Sequence, residues 1–74
     1  MNFDKEISIL VKVATSEIDF LNKILEGYEG TALVTTENPQ EGLVRLYTAL
    51  SMKTMLLELL QKLPREVKVI DITE

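Results

Sequence analysis

Ile7-Ser8-Ile9-Leu10-Val11-Lys12-Val13-Ala14 is the stretch whose reading decides the fold. Ile7, Ile9, Val11 and Val13 fall on one side at a period of two, and Ser8, Leu10, Lys12 and Ala14 fall on the other. Alternating β-branched residues mark a strand buried on at least one face. The spacing predicts a middle strand of a small sheet.

Outward from it, Ser16 is a favoured N-cap residue. Glu17 and Asp19 put negative charge in a first helical turn, where the helix dipole favours it. Ile18, Leu21, Ile24, Leu25 and Tyr28 then recur at helical spacing. Gly27 or Gly30 can supply a left-handed terminating residue, so a first helix is predicted over 16–28. Residues 31–36 form a short β-rich run. Glu37-Asn38-Pro39-Gln40-Glu41-Gly42 reads as a turn in which Gly42 takes a positive φ. Residues 43–48 alternate again, which predicts a hairpin.

Ser51 is expected to cap a second helix. Its stripe is Met52, Met55, Leu56, Leu59, Leu60 and Leu63, with Leu57 off the stripe and Pro64 as the stop. Residues 67–72 read as a last strand too apolar to orient. It gives the outer face of the sheet either Lys68, Ile70 and Ile72 or Val67, Val69 and Asp71.

The order strand, helix, strand, strand, helix, strand predicts one α+β domain over residues 1–74. Its expected form is the ferredoxin-like βαββαβ arrangement: a four-stranded antiparallel sheet with both helices on one face. The competing topology is a split sheet completed by a second subunit.

The totals narrow the chemistry. Seventy-four residues are few for a self-sufficient core, and such chains usually add disulfides, a metal or a partner subunit. The chain has no cysteine and no histidine, which removes disulfides, thiol catalysis, thiolate metal sites and the usual neutral-pH proton shuttle. Self-association, as a homodimer, is the reinforcement left. Net charge is −4, which disfavours nucleic acid and anionic membranes. No apolar run reaches the ~20 residues of a membrane span, and the mixed charge of residues 1–6 is unlike a secretory signal. A cytoplasmic protein is expected. No pair of acids is spaced for a metal or an acid–base couple, and no phosphate loop surrounds Gly27 and Gly30, so neither a cofactor nor a metal is expected.

With helices on one side of the sheet, the other side is open. Leu10, Lys12, Leu43, Arg45 and Tyr47 are the candidate interface or ligand residues there. An apolar patch rimmed by charge marks an interface. The competing readings are scattered apolar groups under lysine and arginine stems, and a small anion site using Lys12 and Arg45.

Known users of this arrangement leave checkable marks. Heavy-metal-associated domains need Cys-x-x-Cys where this chain has Ala14-Thr15-Ser16-Glu17. RNA-recognition motifs need stacking aromatics on the first and third strands, where this chain has only Tyr47. Acylphosphatase-like enzymes need an arginine in the loop after the first strand, and this loop has none. In element order and size the outline resembles small-molecule-sensing ACT domains, though the turn Ala14-Thr15-Ser16-Glu17-Ile18 lacks their glycine. A closer resemblance rests on Ile24-Leu25-Glu26-Gly27-Tyr28-Glu29-Gly30, Val34-Thr35-Thr36 and the Leu63-Pro64 stop. Over about residues 7–70 these resemble a family of short bacterial proteins known as a domain of unknown function. That resemblance implies a stand-alone bacterial domain and carries over no catalytic residue.

The sequence therefore predicts a non-enzymatic homodimeric binding or regulatory module with a protein partner. The alternative is an ACT-like sensor of a small anion or metabolite, or an enzyme completed at a dimer interface.

Overall fold

A computed structural model describes residues 4–27 and 32–74. Strand β1 (Glu6–Lys12) is followed by a 3-10 turn (Thr15–Glu17) and helix α1 (Ile18–Glu26). Strands β2 (Leu33–Asn38) and β3 (Leu43–Ala49) form the hairpin. A second 3-10 turn (Leu50–Met52), helix α2 (Lys53–Lys62) and strand β4 (Lys68–Thr73) complete the chain. The strands form one antiparallel sheet in the order β2-β3-β1-β4, with β1 and β3 in the middle. This is the ferredoxin-like arrangement, closed within a single chain, so the split sheet is not what forms.

Alternation sets the core. Ile7, Ile9 and Val11 from β1, Val13 beyond it, and Val44 and Leu46 from β3 are all buried on one face of the sheet. Leu21 and Leu25 of α1 and Leu56 and Leu60 of α2 join the same cluster, which places both helices over that face. Each such aliphatic side chain gains ~1.5–3 kcal/mol on leaving water. No helix among the described residues is long and apolar enough to cross a membrane.

The helix starts differ from expectation. Ser16 lies inside the first 3-10 turn, and α1 begins after Glu17 with no side-chain cap. Ser51 likewise lies inside the second 3-10 turn. It is held by Asp4, whose carboxylate accepts from the Ser51 amide (3.1 Å) and hydroxyl, while the Leu50 amide donates to the Lys5 carbonyl at 2.7 Å. The segment before β1 thus serves the donors that a local cap would otherwise take.

Gly27 is right-handed, with φ −72°, and its amide donates to the Lys23 carbonyl. The expectations for Tyr28, Gly30 and Thr31, and the Tyr28-Glu29-Gly30 end of the family-like stretch, lie outside the described residues. The α2 stripe is shifted from its expected place. Leu56 and Leu60 are its buried centre, Leu57, Leu59 and Leu63 pack partly against it, and Met55 is exposed.

The hairpin turn follows its chemistry. Asn38 Oδ1 accepts from the amides of Gln40 and Glu41, each at 3.1 Å, and Gly42 has φ 72°. β4 follows neither alternation expected of it. Val69 pairs with Val11 and Asp71 with Leu10, which leaves Ile70 as the extra residue of a bulge. Lys68 and Asp71 therefore share the open face, although they belong to opposite alternating sets.

Candidate functional site

Register maps the open face into three rows. Across the centre run Thr35, Arg45, Leu10 and Asp71, one from each strand in spatial order. On one side lie Leu33, Tyr47, Ser8 and Thr73, and on the other Asn38, Leu43, Lys12 and Lys68. All five candidate residues, Leu10, Lys12, Leu43, Arg45 and Tyr47, stand on this one face. Leu10, Leu43, Arg45 and Tyr47 are half-buried, Lys12 is exposed, and Leu33 is 68% exposed.

Arg45 occupies the middle and is held by two side chains. Its Nε donates to Glu37 Oε1, and an Nη donates to Ser8 Oγ at 2.9 Å. Glu37 reaches it because a second bulge, between Thr36 and Asn38, leaves Glu37 without a cross-strand partner. The Glu37 hydrogen bond, helped by the nearby Asp71 and Tyr47, raises the Arg45 pKa above its ordinary value, against a smaller opposing effect of burial. The guanidinium also satisfies the hydroxyl of Ser8, a residue buried at 8% exposure. The sequence pointed to Arg45 on this face and to Glu37 only as a hairpin residue, not as its partner. A bulge breaks the alternation that would have revealed it.

Below this face, where β1 ends and α2 leads into β4, lies an open cleft of about 490 Å³. Its lining includes three cations, Lys12, Arg65 and Lys68, and two acids, Glu17 and Glu66. Arg65 donates to Glu17 at 2.9 Å and stacks its guanidinium 5.2 Å from the centre of the Phe20 ring. Lys68 lies 3.5 Å from Glu66, both well exposed. Of the three cations of the cleft, Lys12 alone has no ion pair among the described residues, so it has the least competition for an incoming anion. Arg65 gave no sign in the sequence, since Glu17 is 48 residues away along the chain. Among the described residues no three acidic side chains gather closely enough to hold a metal ion.

What the open face offers chemically is four apolar or aromatic side chains, Leu10, Leu33, Leu43 and Tyr47, set among polar ones around an arginine already paired with Glu37.

The model of one protein family, the domain of unknown function DUF4911, matches residues 11–67. No curated protein and no solved structure matches the chain.

Proposed function

Because the chain belongs to DUF4911, a family described only as a domain of unknown function, we propose a role from geometry: a non-enzymatic association module. It pairs with a second copy of itself and offers its open sheet face to a protein partner in a binding or regulatory role. One observation carries this reading. Leu10, Leu43 and Tyr47 lie half-buried and Leu33 exposed around an arginine whose charge Glu37 already answers. Those side chains offer a partner apolar area to cover, and the charge at their centre is already paired. A chain of this size has a small core, and a second copy adds to the surface it removes from water.

The test is the solution mass of the protein and of its Leu10→Asp and Leu43→Asp variants. A dimer that falls apart on either substitution uses the open face as its own contact. A dimer that survives both keeps that face free for a different partner. A monomer at every concentration ends the reading.

The cleft beside Lys12 favours a second reading, a sensor of a small anion or metabolite, or an enzyme completed at a dimer interface. Under it, Lys12→Ala, which removes a cation lining the cleft, weakens phosphate binding and leaves the solution mass unchanged. Under the association reading no phosphate binding is lost, because none is present in the parent protein.

A further inference from the structure

The outer edge of β4 is free. In the order β2-β3-β1-β4 it has β1 on one side and no strand on the other among the described residues. An unpaired edge is a template for another strand. This one carries Val69 at 44% and Ile70 at 52% exposure between Lys68 and Asp71, with no proline to block pairing.

The β4 bulge restricts how two such edges can meet. A two-fold axis normal to the sheet joins two copies so that every residue keeps its face. Directly opposed residues must share a face. In a regular strand, residues of one face are an even number apart, so the axis passes through a residue. Across this bulge, Lys68 and Asp71 share the open face, and Val69 and Ile72 share the other. The axis must then pass between two residues.

Two registers meet that condition near the centre of the strand. An axis between Ile70 and Asp71 sets the two Asp71 side chains diagonal to each other on one face. An axis between Val69 and Ile70 sets Lys68 opposite Asp71 and Val69 opposite Ile70. Opposite charges across a strand pair stabilise it and like charges destabilise it. Lys68 is at liberty to switch partner, because its contact with Glu66 is solvent-exposed and weak.

We infer that β4 pairs antiparallel with β4 of a second copy about an axis between Val69 and Ile70, each Lys68 opposite the Asp71 of the other copy. This rests on the homodimeric reading above and assigns its surface. The product is one eight-stranded sheet, twice the four of a single chain, with all helices on one side and a continuous open face on the other.

The experiment is sedimentation equilibrium on the parent protein, Lys68→Asp, Asp71→Lys and the double variant, each checked for folding by circular dichroism. Lys68→Asp is the cleaner single change, since Asp71 also acts on the charge of Arg45. Each single variant is expected to dimerise at least ~10-fold more weakly, and the double variant to recover most of that loss. As a measure independent of any variant, exchange protection of amides along residues 69–72 is expected to rise with concentration in the parent protein. Single variants that dimerise as well as the parent overturn the register and leave the homodimer standing. So does a double variant as weak as the singles, or a dimer whose β4 amides gain no protection. A parent protein that stays monomeric overturns both.

Discussion

Val13 and Gly42 touch backbone to backbone: the Val13 amide donates to the Gly42 carbonyl at 2.9 Å, and the Gly42 Cα faces the Val13 carbonyl oxygen with no room for a side chain. The contact clamps the end of the hairpin turn to the chain leaving β1, at the rim of the open face. Gly42 has φ 72°, so a side chain there meets both an unfavourable backbone region and a carbonyl. The left-handed conformation alone costs a non-glycine residue ~1–2 kcal/mol. Gly42→Ala is therefore expected to lose at least that much in chemical denaturation. A loss below ~0.5 kcal/mol would show that the turn relaxes without consequence.

Helix α2 gives a graded prediction. Leu56 is fully buried, Leu59 half-buried and Met55 46% exposed. Leu56→Ala is expected to cost ~2–5 kcal/mol, and Leu59→Ala less. Met55→Ala should stay within ~0.5 kcal/mol. Urea titrations of the three variants check the order, and a costly Met55→Ala would place the helix in a different rotation.

The same helix shows where the sequence was legible and where it was not. Strict alternation in Ile7–Val13 and in Val44, Leu46 and Thr48 settled which face of the middle strands is buried, because those strands run without a bulge between them. All five candidate residues of the open face followed from that. In α2, six apolar residues fit one arc, but the buried centre lies between Leu56 and Leu60, and Met55 stands ~100° from Leu56. Periodicity gives the width of a stripe more readily than its centre. Both edge strands carry a bulge, and a bulge erases the parity on which face assignment depends. For that reason the pairing of Glu37 with Arg45 went unseen and β4 had two readings, neither of them right. The Asp4 contact spans 47 residues and leaves no local trace.

That Asp4 contact carries a pH dependence. The Ser51 side-chain and backbone hydrogen bonds hold the Asp4 carboxyl below its ordinary value of 3.8. A group depressed in the folded state stabilises fully above its unfolded pKa, and that stability is lost as pH falls through the folded value. The Lys53 ammonium lowers the Glu74 carboxyl in the same direction, so it acts in the same acid window. Melting temperature should drop on acidification below about pH 4, and less steeply in Asp4→Asn. Parallel curves for the two proteins would mean that the contact is not held in solution.

Arg45 and Glu37 make a coupled pair on the open face. Arg45→Ala should lower the melting temperature more than Glu37→Gln, because it also strips the buried Ser8 hydroxyl of its donor. Added salt should narrow the gap between the parent protein and Glu37→Gln, since part of that interaction is screened. Equal effects of the two substitutions would separate Ser8 from the pair.

The central claim is that this chain works by association with its own kind, and its mass in solution tests that most directly. Light scattering across a dilution series from the tens of micromolar downward should approach twice the 8.4 kDa of one chain at the upper end. A mass that stays at one chain throughout contradicts the account.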